Sequence, residues 1–212
     1  MRLYSYWRSS CSYRVRLALN FLEIPCEIVP IHLVKNGGEQ HQAEYKRLNP
    51  MGEVPALIDG TMLVTQSMVI CDYLQAKTGG TLFPIALEDN VFVRQICEIV
   101  NSGIQPLQNL KCLQALGTRF GADDAAKADW ARTWIEKGLH ALEQLLAPRA
   151  GNRCLGDQTT AADCFLIPQL YNAHRYEISF NELPTLARIE ASVSIEKWAQ
   201  DAHPDAQPDA PA

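Results

Sequence analysis

The hydrophobic period changes once along the chain, near residue 80, and that change fixes what each half can become. Before it, apolar residues mix a two-residue alternation with short helical patterns; after it the helical period dominates. Residues 3–6 alternate as a short strand. From Cys11 the apolar positions Cys11, Val15, Ala18, Leu19 and Leu22 form one face of a helix that Pro25 ends. Glu27-Ile28-Val29 reads as a second strand, followed by a polar loop with Gly37-Gly38 and a short helix at residues 43–48. Residues 54–58 and 61–64 flank Asp59-Gly60, the strongest short hairpin signal. Ser67 caps a helix to about Lys77, closed by Gly79-Gly80. The order is β-α-β, then a hairpin, then α.

Past a linker holding Pro84, Phe92, Ile96 and Ile99 begin a long helix that Pro106 bends. Trp130, Trp134, Leu142, Leu145 and Leu146 mark another, ending before Pro148. Thr160-Ala161-Ala162-Asp163 reads as a capping box with a shortened acid. It opens a helix from Cys164 to about Tyr176, apolar on all faces with Pro168 inside, which belongs in a domain centre. The tail from His203 lacks apolar side chains and is expected on the surface or disordered. These patterns divide the chain into residues 1–82, an α/β domain, and 87–212, an all-helical domain.

Length and composition narrow the function. The 212 residues suffice for two small domains, and 47% hydrophobic with 20% charged residues is globular. Nineteen basic against 24 acidic side chains give −5, which argues against nucleic acid as a partner. No apolar run reaches the ~18 residues that span a bilayer, and residues 1–8 lack the apolar stretch of a signal peptide. The expectation is a soluble cytoplasmic protein without a membrane partner. The seven cysteines form no C-x-x-C pair, and the five histidines keep no zinc-ligand spacing with them. No metal is expected, and the cysteines other than Cys11 read as mostly buried free thiols of a reducing compartment.

Three junctions could expose backbone donors to a ligand. Arg8-Ser9-Ser10-Cys11-Ser12 places four small polar side chains at a helix start, where a cap requires only one. A helix N-terminus with hydroxyl donors favours the thiolate of any thiol held there, whether that of Cys11 or one carried by a ligand. Val54-Pro55 stands immediately before a hairpin strand; as a cis peptide it would turn the Val54 N–H and C=O toward an extended peptide, and as a trans bond it is an ordinary edge proline. Gln66-Ser67 opens the next helix, either as a plain cap or as an anion site suited to a carboxylate. Together they could hold a small ligand with a thiol at one end, a peptide in the middle and a carboxylate at the other.

The first half, with Val-Pro before its hairpin, resembles the thioredoxin-like βαβ-ββα glutathione-binding domain. The second half resembles the all-helical C-terminal domain of the cytosolic glutathione transferase fold. Ser9-Ser10-Cys11-Ser12-Tyr13-Arg14-Val15-Arg16 is similar to the S-S-C-S-W/Y-R-V-R signature of the zeta class. Leu48-Asn49-Pro50-Met51-Gly52-Glu53-Val54-Pro55, Gln66-Ser67, the segment from Ile104 through Gln105, Pro106 and Asn109 to Leu110, and the tail from His203-Pro204 to Gln207-Pro208-Asp209 match that class too.

This resemblance implies a glutathione-dependent cis–trans isomerase of a cis-enedione diacid, maleylacetoacetate, in phenylalanine and tyrosine breakdown, acting as a homodimer. It implies that Ser9 hydrogen-bonds the glutathione thiolate while Ser10 and Cys11 polarise it. Ser12, Tyr13 and Arg14 continue that segment in mainly structural roles. Gln40 would reach the glycine end, Val54 the cysteinyl backbone, and Gln66 and Ser67 the γ-glutamyl group. Gln105, Asn109, Leu110 and Lys111 would border the site, and Arg8 and Arg175 would hold substrate carboxylates, a task suited to the guanidinium fork. Maleylpyruvate as substrate, conjugation of glutathione to α-haloacids, a thiol-disulfide reductase run by Cys11 and a non-catalytic binding module are the competing expectations.

Overall fold

Four four-residue strands, each too short to stand alone, form one sheet. The computed structural model describes residues 1–211. β1 (Arg2–Ser5) lies between β2 (Glu27–Pro30), to which it is parallel, and β3 (Ala56–Asp59), to which it is antiparallel; β4 (Met62–Thr65) closes the order β2-β1-β3-β4. The crossover between β1 and β2 is α1 (Ser10–Phe21). α2 (Ala43–Leu48) precedes the hairpin, and α3 (Ser67–Thr78) follows it, ending on Gly79 in the left-handed conformation (φ 65°). This is the expected thioredoxin-like order.

Two local differences follow from backbone geometry. Asp59 is not a turn residue: it pairs with Met62, so the two-residue loop is Gly60-Thr61, with Gly60 supplying the positive φ (59°). The Asp59 carboxylate accepts instead from the Tyr73 hydroxyl (2.7 Å) and from Lys77, tying the hairpin to α3. Ser67 is not the cap of α3 but its first residue. Gln66 takes the cap position with φ 69° and makes no side-chain cap bond, and the Ser67 hydroxyl accepts from Arg14 rather than capping the helix.

The chain divides into two compact units, one formed by Met1–Leu82 with residues 194–211, the other by Phe83–Val193. The sequence division assigned 87–212 to a single helical domain; the C-terminal segment belongs instead with the α/β unit. From His203 on, most of its residues lie at the surface, the first of the two expectations, yet the segment is anchored to that unit. α10 (Lys197–Ala202) buries Ala199 and Ala202, and Pro204 and Gln207 are buried beyond it. The Trp198 ring packs edge-on against Phe21 on α1 (centroids 5.5 Å apart), and polar bonds add to that packing. The Arg16 guanidinium, 2% exposed, donates to the Ala202 carbonyl (3.0 Å), and the Asp209 carboxylate accepts from the Trp7 amide (2.9 Å). Gln207 donates to the Asp201 and His203 carbonyls. Asp209→Ala leaves a partly buried amide without its acceptor, a loss of about 1 kcal/mol. A thermal melt should show a Tm lower by about 2–4 °C.

The second unit holds α4 (Leu87–Glu98), α5 (Gln105–Gln108), α6 (Leu110–Phe120), α7 (Asp124–Leu146), α8 (Ala161–Arg175) and most of α9 (Pro184–Ser194). α8 is buried along nearly its whole length, with Phe165, Leu166 and Leu170 at 0% exposure, and packs on α4. The bend after α4 is not the proline's alone. Residues 99–104 run as a π-helical segment, and Pro106 sits in the first turn of α5, where its missing N–H costs nothing. No helix among the described residues is long and apolar enough to cross a membrane.

Candidate active site

The register of the sheet decides which segments meet. Tyr4 on β1 faces Ala56 on β3, which faces Thr65 on β4, and Ser5 faces Pro30 on β2. Because β1 and β2 run parallel while β3 runs against them, four segments leave the sheet at the same end: the Tyr6–Ser9 turn, the loop after Pro30 that carries Gln40, Val54 just before β3, and Gln66-Ser67 just after β4. The sequence candidates of the first unit therefore share one edge, although up to 58 positions separate Ser9 from Ser67 in the chain.

At the first of these segments Ser9 is the N-cap of α1. Its Oγ accepts from the Ser12 amide (3.2 Å), and its own amide donates to the Tyr6 carbonyl (3.0 Å). Of the four amides that a helix start leaves without intrahelical acceptors, those of Ser9 and Ser12 are thus satisfied. The amides of Ser10 and Cys11 point out of the helix end together with the Ser9 hydroxyl. That hydroxyl has spent a lone pair on Ser12 and keeps its proton to give. Three donors at the positive end of a helix dipole constitute an anion cradle, suited to a thiolate. Ser10 is buried, Cys11 half-buried, and Ser12 and Tyr13 are buried along α1. Arg8 is exposed, its guanidinium 5.3 Å from the centre of the Trp7 ring.

The middle of the site rests on a small aromatic floor. Tyr6, Tyr45 and Val54 pack together with Tyr4, Trp7, Ile31, Leu33 and Leu48 against them. The Val54-Pro55 peptide is cis, and ladder pairing of β3 begins only at Ala56, which leaves Val54 outside the sheet. Its position is set from behind. The Tyr45 hydroxyl (2.8 Å) and the Asn49 amide (2.6 Å) both donate to the Glu53 carbonyl, and burial pushes the Tyr45 hydroxyl well above the usual phenol range, so it stays a donor. Gln40 is 5% exposed; its Nε2 donates to the Leu33 carbonyl (3.2 Å), while its Oε1 is buried without a partner.

At the far end, the amides of Ser67, Met68 and Val69 open α3 with no capping side chain, and Ser67 is 4% exposed while Gln66 is exposed. The left-handed backbone of Gln66, costly for a residue with a Cβ, directs this end. Behind it stands Arg14, fully buried, whose Nη1 donates to Ser67 Oγ at 3.1 Å.

Gln105, Asn109, Leu110, Lys111 and Arg175 lie in the second unit. Gln105 opens α5, Asn109 is the N-cap of α6 without a side-chain cap bond, and Leu110 and Lys111 begin that helix. Arg175 ends α8, exposed, and donates to Asn172 Oδ1 (3.3 Å). Sequence reasoning placed Arg16, Asn49 and Asp209 in segments that match the class but gave them no role, and it passed over Tyr45; all four hold the site's loops. The signal available was a pair of arginines, 14 and 16, within the apolar span of α1. Among the other thiols, burial pushes Cys71 up to about 12 and Cys154 well above its ordinary value, so neither supplies a thiolate near neutral pH.

Comparisons place this geometry among known proteins. The family described as "Glutathione S-transferase, N-terminal domain" matches residues 1–76. A protein named probable maleylacetoacetate isomerase 2 of Drosophila melanogaster is 46% identical over 211 residues, covering 99% of this chain and 90% of the relative. The holo structure of a bacterial maleyl pyruvate isomerase, described as a zeta-class glutathione S-transferase, superposes with TM-score 0.96 at 37% identity over 100% of both chains. The maleylacetoacetate isomerase of Anaeromyxobacter dehalogenans, solved with GSH bound in its active site, gives TM-score 0.88 at 41% identity over 99% of this chain and 97% of its own. The chain belongs to the zeta class of glutathione transferases, the family of the maleylacetoacetate isomerases.

Proposed function

We infer that the chain is a glutathione-dependent cis–trans isomerase converting maleylacetoacetate to fumarylacetoacetate. The observation that carries this is the anion cradle at α1, in which Ser9 is held from behind by the Ser12 amide and presents its proton beside two unengaged amides. It sits in a chain similar over its full length to maleylacetoacetate isomerases.

Glutathione fits the residues present. The cradle suits its thiolate, the unladdered main chain of Val54 suits its cysteinyl backbone, and the open N-terminus of α3 suits its γ-glutamyl carboxylate. When bound, it supplies a thiolate that adds reversibly to the cis alkene and leaves again after rotation. Ser9 donates to the sulfur, and the Ser10 and Cys11 amides raise the ionised fraction of the thiol. A free thiol of pKa ~8.5 is only a few per cent ionised at pH 7, so this gain is bounded at roughly thirtyfold. Orientation of the substrate supplies further rate, and Arg8 and Arg175 are assigned to its two carboxylates. Gln40 is assigned to the glycine end, and Ser12, Tyr13 and Arg14 support the cradle. Gln105, Asn109, Leu110 and Lys111 are assigned ligand contacts on the resemblance to the zeta class alone. The same resemblance supports a homodimer, a cytosolic location and a place in phenylalanine and tyrosine breakdown.

The test mixes protein and maleylacetoacetate with and without glutathione while titrating free thiol. Conversion that requires glutathione but consumes none is the expected result. Stoichiometric loss of thiol would make the chain a conjugating enzyme instead. Maleylpyruvate is run alongside, since the full-length likeness to a maleyl pyruvate isomerase favours it as the second substrate.

A further inference from the structure

Charged side chains are almost never fully buried without a purpose, and Arg14 is at 0% exposure in the middle of α1. Its Nη1 donates to Ser67 Oγ at 3.1 Å across 53 positions of sequence. Arg14 is also near enough to Cys71, one turn further along α3, to pull that thiol's pKa down against the larger effect of burial.

The polarity of this contact matters. A guanidinium has donors and no acceptors, whereas a serine hydroxyl has one proton and two lone pairs. Facing Arg14, Ser67 Oγ acts as an acceptor, so its proton is free for a partner on the open side. That side is the start of α3, where the amides of Ser67, Met68 and Val69 have no intrahelical acceptors and Gln66 supplies no cap. Donation from a cation also polarises the hydroxyl and strengthens the bond it donates in turn.

We propose that Arg14 is a positioning residue for carboxylate recognition: by occupying the buried side of Ser67 Oγ, it commits that hydroxyl to donate to the γ-glutamyl carboxylate of glutathione at the N-terminus of α3. The proposal rests on the assignment of glutathione as cofactor. It gives a buried arginine of the first helix a role at the opposite end of the ligand from the serines beside it in sequence.

The test compares two peptides by titration calorimetry: glutathione, and the analogue in which 4-aminobutyrate replaces the γ-glutamyl unit, which lacks only that carboxylate. The ratio of their affinities within one variant is insensitive to the folded fraction, so it separates positioning from general loss of structure. The wild-type protein should prefer glutathione by about ten- to a hundredfold, the range of a hydrogen bond to a charged group. Arg14→Met should cut that preference to about threefold or less by weakening glutathione and leaving the analogue nearly unchanged. Ser67→Ala should do the same, and the double variant should lose no more than Ser67→Ala alone. A folded Arg14→Met protein with the wild-type preference, or losses that multiply in the double variant, would overturn the proposal. Should Arg14→Met fail to fold, Ser67→Ala decides: a wild-type preference without that hydroxyl leaves Arg14 nothing to act through. A wild-type protein that binds neither peptide refutes the glutathione assignment itself, a separate outcome.

Discussion

Asp163→Ala should lower the melting temperature by about 10 °C. The residue is fully buried at the start of α8. Its Oδ1 accepts from the Cys154 amide (2.8 Å), and its Oδ2 accepts from the Thr160 amide (2.8 Å) and lies 3.2 Å from the Thr160 hydroxyl. Removing the carboxylate leaves two buried main-chain donors unpaired and opens the capping box of the most buried helix, at a cost of about 3–5 kcal/mol. Asp163→Asn keeps the shape but has one acceptor oxygen for two amides, so an N–H faces an N–H, and most of the loss should remain. Its melting curve is the sharper check: a wild-type Tm would mean that the paired acceptances do not stabilise the unit.

The same residue gives stability a pH dependence of defined sign. Burial pushes the Asp163 carboxyl above its ordinary 3.8, although the bonds from Cys154 and Thr160 pull the other way. As pH rises through 3.8, the unfolded chain ionises this group before the folded one does. In that window the folded state holds more protons, so Asp163's contribution to stability falls with rising pH and levels off above the folded pKa. Asp163→Asn should lack that slope.

Much of this architecture is legible because it is local. The alternation of residues 3–6, the turn glycine at 60, the Val54-Pro55 step and the spacing of Thr160 and Asp163 each act within a few positions, where sequence pattern and structure are the same information. The site's edge is legible at one remove, since strand order and direction bring the Ser9, Val54 and Ser67 segments to one end of the sheet. What the sequence conceals are polar bonds between distant residues. Arg14 to Ser67, Arg16 to Ala202 and Trp7 to Asp209 span 53, 186 and 202 positions. None leaves a periodic trace, and a tail held by carbonyls and one carboxylate reads as solvated because apolar payload is what patterns detect. The π-helical segment after α4 is concealed for another reason: its extra residue per turn resembles a slightly irregular α pattern until a proline forces a choice of where to bend.

Ser9→Ala should lower kcat/KM about a hundredfold at pH 7, as loss of a donor to a developing anion does elsewhere. Two consequences of the same substitution need separating. Losing the bond from the Ser12 amide removes the N-cap of α1 and costs ~1 kcal/mol of stability, which leaves the folded enzyme's turnover untouched. In the proposed role, losing the hydroxyl proton acts on the thiolate, and here the magnitude discriminates. If Ser9 only raised the ionised fraction of glutathione, its removal could cost no more than roughly thirtyfold at pH 7, and nothing above about pH 9, where the free thiol ionises unaided. A hundredfold loss exceeds that bound, so part of it must arise where sulfur sheds charge to the alkene and recovers it. The pH–rate profile of Ser9→Ala should therefore climb with pH and stop a few-fold short of wild type. Full recovery at high pH would confine Ser9 to ionisation, and an unchanged rate at pH 7 would remove it from the chemistry. In the same assay Cys11→Ala should fall by less than about tenfold, because residue 11 gives the cradle its main-chain amide, which alanine retains.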